Sequence, residues 1–427
     1  MTHTFKMSRR MARFRSAVAG VMLLGIAGCS DRPEPTGLES VASVDDSSQE
    51  TTPTQMSSLV SVSGIPIYPG QSIQNAVNSN PAGTKFLIKA GRHKRQSVRP
   101  KSGNTFVGEA GAILDGENAT EYAFTKGYSP YPSNVRIQGL IIEKYKPPVQ
   151  MGAVSAGGHG SSYNSVGWIV ESCEIRYNAT GGVRLGNKMQ LLRNKIHHNR
   201  QIGVIMGGGD STVVDGNEIA YNNYNWDYAW GWELGGTKFV MTRWLRVINN
   251  YAHHNNGPGL WTDTDNIYTV YENNRLEYNA GPGIMHEISY DAVIRNNTAK
   301  ANGFQKGWIL GAGILVAASP NVEIYGNVLS GNKMGITASQ QNRGSGRYGA
   351  HLVKNLYVHD NTITQPSGRS GVARDWGDNS VYTSWNNRFR NNVYYLGSNP
   401  APFEWMNGMR SKAQWLGYGQ DLTGRFY

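Results

Sequence analysis

One short form, Asn-x-apolar-x-x-Asn, returns along the chain from NKIHHN at residue 194 to NVLSGN at residue 327, and it restricts the fold more than any other property. Its leading position is held by Asn194, Asn217, Asn250, Asn274, Asn297 and Asn327, and Asn361 and Asn392 continue the column. Its closing position is held by Asn178, Asn199, Asn222, Asn255, Asn279, Asn302 and Asn332. Successive units lie about 23 to 34 residues apart. A period on this scale belongs to stacked supersecondary units, none of which can bury its apolar face alone. Columns of one polar residue make sense only if like residues stack. An inward-turned Asn amide then bonds its neighbours in adjacent turns and satisfies groups that would otherwise be buried unpaired. Cys173 takes the leading place in the earliest clear unit, CEIRYN, which makes it a small buried group and not a nucleophile.

Each Asn unit is followed by a glycine and a short alternating strand: GVRLG, GVIMG, GWELG, GLWTD, GIMHE, GILVA, GITAS and GVARD. These begin at Gly182, Gly203, Gly231, Gly259, Gly283, Gly313, Gly335 and Gly371. Another short apolar strand precedes each unit, such as LRVI or YTVYE. Period-two strands, polar turns and no helical period mean β structure. Several strands per repeat mean a coil of parallel sheets, and residues 59–427 read as one such solenoid. The stretch PGQSIQNAVNSNPAGTKFLIKAGR at residues 69–92 reads as an amphipathic helix followed by a strand, a cap over the open end of the coil.

The cap, the Asn-Gly turns and the motifs NNYAHHNNGPGLWTD and NAGPGIMHEISYDAVIRNN resemble the pectate-lyase-like, right-handed parallel β-helix superfamily, over about residues 60–400. The resemblance implies an all-β, single-stranded parallel β-helix with an N-terminal capping helix. It leaves activity open, because such coils carry lyases, hydrolases, uronate epimerases, esterases and phage spikes.

Residues 1–28 carry Lys6, Arg9, Arg10, Arg13 and Arg15, then the apolar run AVAGVMLLGIAG, which is too short to span a bilayer and fits an export signal. It ends in Ile26-Ala27-Gly28-Cys29, which resembles a bacterial lipobox; Cys29 would be lipidated and anchor the chain. Ser30 follows, which by that resemblance favours the outer membrane, so the chain is expected at the outer membrane, the cell surface or in the periplasm. Residues 29–58, rich in Ser, Thr, Pro and acids, read as a disordered tether. The formal charge is +11. Signal and tether offset each other, so the coil itself is basic and suits an anionic glycan, while export argues against nucleic acid. Cys29 and Cys173 are the two cysteines, and no disulfide framework exists.

Strand alternation assigns faces. Counting from each glycine, the first and third residues point inward and the second and fourth outward. The fourth column then contains Asp263 and Glu287 as stacked neighbours, and Glu233 falls on the same face one turn earlier. Like charges on adjacent strands destabilise a sheet, so a purely structural role explains them poorly. One functional reading is an acid/base pair with divided pKa values that hydrolyses a glycosidic bond. The other is a Ca²⁺ site of Glu233, Asp263 and Glu287, serving a lyase or C5-epimerase on uronates. The resemblance implies stacked carboxylates in polygalacturonases, although Thr262-Asp263-Thr264-Asp265 departs from their Asn-Thr-Asp motif.

Lys238 is a candidate base for elimination, and His286, although pointed inward, a candidate acid/base. Trp261, Arg184, Trp226, Trp230, Asp265 and Tyr290 are candidate sugar contacts, because pyranose rings present apolar faces to aromatic rings and hydroxyls to polar groups. Trp232 reads as core. His197-His198 and His253-His254 fall in turns without a third ligand at metal spacing. The chain therefore reads as an exported, monomeric enzyme that cleaves a polysaccharide, with hydrolysis ahead of elimination. A non-catalytic glycan-binding coil is the reading from another class.

Overall fold

The computed structural model describes residues 63–158, 164–229 and 233–427. Cys29, the signal, the 29–58 tether, Gly231, Trp230 and Trp232 lie outside the described residues.

Each sequence repeat becomes one turn of a right-handed parallel β-helix with three strands. In one turn these are Arg246–Ile248 ahead of the Asn unit, Tyr251–His253 within it, and Leu260–Asp263 after the glycine. Each pairs in parallel with its equivalent one turn on. Among the described residues the three resulting sheets hold 13, 13 and 12 strands. No helix of the described residues is long and apolar enough to cross a membrane.

The Asn columns are continuous ladders. The Asn250 backbone N–H and its amide Nδ2 both donate to Asn274 Oδ1 at 3.0 Å, and Nδ2 also donates to the Val214 carbonyl at 2.9 Å. The same pattern runs to Asn392, where Asp421 Oδ1 closes the ladder at 3.0 Å. At the other end the Cys173 N–H donates to Asn194 Oδ1 at 3.0 Å, and burial pushes its thiol up to about 12. The second ladder starts at the Tyr145 N–H and passes through Asn178 to Asn332.

The ladder explains the glycine column. A Cβ on Gly259 would stand 2.7 Å from the Gly283 carbonyl oxygen and 2.9 Å from Asn279 Nδ2. Only a residue without a side chain lets the chain pass the amide. This test also corrects the sequence register in one turn. Gly236, whose Cβ would meet the Gly259 carbonyl at 2.2 Å and Asn255 Nδ2 at 3.2 Å, fills the column there, not Gly231. The strand of that turn is Gly235–Arg243, because extra residues lengthen the corner before it.

Isoleucine, valine and leucine fill the interior, and the helix Ile73–Ser79, capped by the Ser72 hydroxyl on the Asn75 N–H, closes one end as expected. The other end has a cap that the repeat pattern does not announce. The helix Lys412–Gly417 buries Trp415 flat against Phe403, with centroids 4.5 Å apart.

Asn274→Ala removes an acceptor from Asn250 and a donor from the Val247 carbonyl. Each orphaned buried group costs about 1–3 kcal/mol. Denaturant unfolding should show a loss of about 2–4 kcal/mol, with the fold retained by circular dichroism.

Candidate active site

The outer face of the third sheet brings the carboxylates together. Asp263 and Glu287 end adjacent strands, Leu260–Asp263 and Ile284–Glu287, and are register partners. Parallel strands lie about 4.8 Å apart, so the two side chains leave the sheet side by side.

Their surroundings differ. The Lys238 ammonium lies 2.7 Å from Asp263 Oδ2, and the Thr264 hydroxyl donates to Oδ1 at 3.1 Å. Glu287 is buried; Arg343 Nη1 meets Oε1 at 2.5 Å and the Trp261 indole N–H donates to Oε2 at 3.2 Å. Burial, joined by the neighbouring Asp263 charge, raises the Glu287 pKa above the ordinary carboxylate value, and Arg343 and Lys238 oppose that rise. A cavity of about 220 Å³ opens over Glu287, walled by Trp261, Met285, Leu315, Lys306 and Arg343.

Glu233 is displaced from the position the alternation gave it. The corrected register puts Lys238 in the second outward column, facing Ile205 on the preceding turn. Glu233 instead precedes the strand, and its carboxylate approaches Lys238 Nζ at 3.8 Å and bonds the Gln150 amide. Lys238 therefore stands between Glu233 and Asp263. Among the described residues no group of three His, Cys, Asp or Glu side chains is arranged to hold a metal ion. With an ammonium between two of the three carboxylates, this donor set does not fit the expected Ca²⁺.

Trp261 lies in the outward column but is covered. Lys238 Nζ sits 3.9 Å above its ring centroid, so the indole positions Lys238 and Glu287 and is no open platform. His286 points inward, fully buried. Its Nε2–H donates to the Tyr290 carbonyl at 3.2 Å and Nδ1 accepts from the Thr262 hydroxyl at 2.7 Å. Burial lowers its pKa to about 4, which keeps the ring neutral and inside the wall. Arg184 is buried on the same sheet two turns before Lys238. Trp226 is exposed in the lengthened corner and is absent from the cavity wall.

Asp265 and Tyr290 do not form an open wall. Asp265 Oδ1 accepts from the Arg347 N–H at 3.1 Å and lies 3.3 Å from His351 Nε2. Tyr290 donates its hydroxyl to the Gly349 carbonyl at 2.7 Å and accepts from the Gly346 N–H at 3.2 Å. Both side chains fasten a small antiparallel hairpin, Ser345–Gly346 with Gly349–Ala350, onto the sheet. That hairpin follows Arg343 and holds it over Glu287. The sequence reading missed Arg343, because residues 341–351 interrupt the repeat and have no partner in the columns. A larger cleft of about 750 Å³ at the corner between the second and third sheets contains the bidentate Arg200–Asp227 pair but neither Asp263 nor Glu287.

The sequence matches the family described as "Right handed beta helix region" over residues 159–305 and 247–363. No curated protein matches it. Among solved structures, the A-module of the mannuronan C-5 epimerase AlgE4 from Azotobacter vinelandii superposes with a TM-score of 0.55 at 13% identity, over 83% of this chain and 92% of that one. The catalytic unit of the GH87 α-1,3-glucanase from Streptomyces thermodiastaticus superposes with a TM-score of 0.52 at 10% identity, over 86% of this chain and 69% of that one. At these identities the likeness establishes the right-handed parallel β-helix.

A carboxyl whose pKa is raised on folding favours the folded state at low pH and loses that contribution as pH rises through the folded pKa. Glu287 is such a group. Glu287→Gln should therefore unfold at a higher temperature than the parent protein at neutral pH. The gap should close as pH falls toward about 4, the ordinary carboxylate range. Thermal scans across that interval measure it.

Proposed function

We propose that the chain is a glycoside hydrolase acting on a polysaccharide laid along the third sheet, with Glu287 as general acid and Asp263 as the second carboxylate. The observation that carries this reading is the division of environment between the two. Glu287 is buried, with its pKa raised, the condition for a proton donor near neutral pH. Asp263 is ion-paired with Lys238 at 2.7 Å and is the more exposed of the two. In the reaction the Glu287 proton passes to the glycosidic oxygen as the bond to the anomeric carbon breaks. Side chains that leave the sheet one turn apart, about 4.8 Å at the backbone, suit the close carboxyl pair of retaining enzymes, roughly 5–5.5 Å apart, and this favours attack by Asp263 and then hydrolysis of the glycosyl ester by water that Glu287 deprotonates. Lys238 holds Asp263 in position, and Trp261 and Arg343 orient Glu287.

An elimination on uronates is the second reading. It draws support from the cationic wall of Arg343 and Lys306 beside Glu287, which suits a uronate carboxylate. Against it, Lys238, the expected base, is committed to an ion pair with Asp263. The two reactions differ in their products. Elimination leaves an unsaturated uronate with a new ultraviolet absorbance, and hydrolysis leaves reducing ends without it.

Screening the purified chain against a panel of polysaccharides supplies the substrate. Asp263→Asn and Glu287→Gln should each lower kcat about 10²–10⁴-fold while binding persists, as expected for loss of an acid/base group. Full turnover by both variants would sink the site, and a rise in ultraviolet absorbance would sink hydrolysis. Binding without turnover on every substrate would leave a glycan-binding coil.

Cys29 is proposed as the lipid anchor of the exported chain. Cys29→Ser should prevent incorporation of labelled palmitate and move the protein from the membrane fraction to the soluble one.

A further inference from the structure

The third sheet carries a second charged feature, at its N-terminal turns. Lys126 follows the strand Phe124–Thr125 and is 9% exposed. Its ammonium donates to the Gly127 carbonyl at 3.3 Å and sits 3.9 Å above the Tyr131 ring centroid. Arg184 ends the strand Gly181–Arg184 and is 3% exposed. Its Nε and Nη2 donate to the Gly158 carbonyl at 3.1 and 2.6 Å, and Nη1 donates to the Gln150 carbonyl.

Among the described residues, neither cation has a carboxylate within ion-pair distance, whereas buried Glu143 is matched by Arg92 and Arg176, and Lys238 by Asp263. Glu121, at the rim nearby, is exposed and bonds neither. Burial lowers the Lys126 pKa and Arg184 lowers it further, so the two cations feel each other. Thr125, Ser155 and Arg184 are register partners, so the backbone that carries Lys126 lies two turns, roughly 10 Å, from that of Arg184. A cavity of about 320 Å³ opens there, walled by Lys126, Tyr122, Tyr128, Gly157 and Gly158, with Glu121 also in its lining. Glu233 offsets part of the Arg184 charge through Gln150, which bonds both, whereas among the described residues no carboxylate acts on Lys126. A buried cation without a counter-charge is costly and is retained where an anion completes it.

We propose that this cavity is an anion subsite, taking one carboxylate or sulfate ester of a ligand, with Lys126 as direct donor and Arg184 supplying positive field through the wall at Gly158. The column Arg184, Ile205, Lys238, Trp261, Met285 separates Arg184 from the Glu287 strand by four turns, roughly 19 Å, and Lys126 lies two turns further along the same sheet, roughly 29 Å from it. A glycan along the face would reach both. The subsite rests on the hydrolase reading only for the kind of molecule that carries the anion.

The test is isothermal titration of full-length Glu287→Gln protein, which needs no turnover. The probes are oligogalacturonate, sulfated dextran, neutral dextran and inorganic sulfate. The anionic oligomers should bind and neutral dextran should not; the stronger of the two anionic arms identifies carboxylate or sulfate. Competition by inorganic sulfate would support a small-anion site. Lys126→Met should weaken the anionic oligomer about tenfold, the loss of one charge-assisted contact, and Lys126→Arg should restore it. Lys126→Met should also leave the free protein at least as heat-stable as its parent, because it removes an uncompensated buried charge. Unchanged binding by Lys126→Met overturns the proposal. So does equal weakening by the exposed Lys354→Met, which would mean diffuse charge attraction, or a sharp loss of stability in Lys126→Met, which would mean a structural lysine.

Discussion

Everything on the outer face of the third sheet depends on a hydrogen bond made inside the coil. Within each ladder, an Asn such as Asn274 receives two donors from the preceding turn and gives its own amide hydrogens to a carbonyl and to the next Asn. In a low-dielectric interior such a chain is strong when complete and costly when broken. A slip of one residue in any turn would leave amides buried without partners, so the ladder fixes register at every turn. The glycine column follows from it, since any Cβ there would collide with an Asn amide. Fixed register is what turns two residues 24 positions apart, Asp263 and Glu287, into neighbours.

Adjacency alone would make them two repelling acids. Their difference comes from what covers each. Glu287 is closed in by the Trp261 indole and by Arg343, and loses solvent. Asp263 keeps a cation at hydrogen-bonding distance. Desolvation raises the Glu287 pKa, while Asp263 stands in an ion pair, so identical backbone positions on consecutive turns acquire unlike surroundings. His286 illustrates the complementary rule. It neighbours Glu287 in sequence, but alternation turns it into the interior, where burial holds it neutral.

The coil, its inward and outward faces, the N-terminal cap and the Asp263–Glu287 pairing were legible in the sequence because each follows from periodicity. The errors fall where periodicity stops. The corner before Gly235–Arg243 contains extra residues, so GWELG imitates the repeat and draws Glu233 into a column that Lys238 occupies. Steric demand, not motif, identifies the true glycine, and steric demand is invisible without neighbouring turns. Arg343 was unreadable for a related reason. Its segment has no counterpart in adjacent turns, and its contact with Glu287 spans 56 residues through a hairpin held by Tyr290 and Asp265. The helix Lys412–Gly417 likewise lies outside the repeat.

This division has a physical basis. A turn of the ladder tolerates little change, because its amides, glycines and interior side chains are each in contact with the turns on either side. Variation is therefore cheapest at the corners and in inserted segments, where backbone is solvated and register is already set by the strands. The outward positions of the third sheet supply fixed points, spaced by one turn, at which charged side chains can stand. The insertions decide which of those charges are covered, paired or left facing a cavity. Arg343 over Glu287, Gln150 bonding Glu233, and Gly158 between Arg184 and its cavity are all contributed by segments between strands. The same coil can thus carry different reactions without a change in its core, which is why the fold alone does not name the substrate and the covering of Asp263 and Glu287 by these segments sets their chemistry.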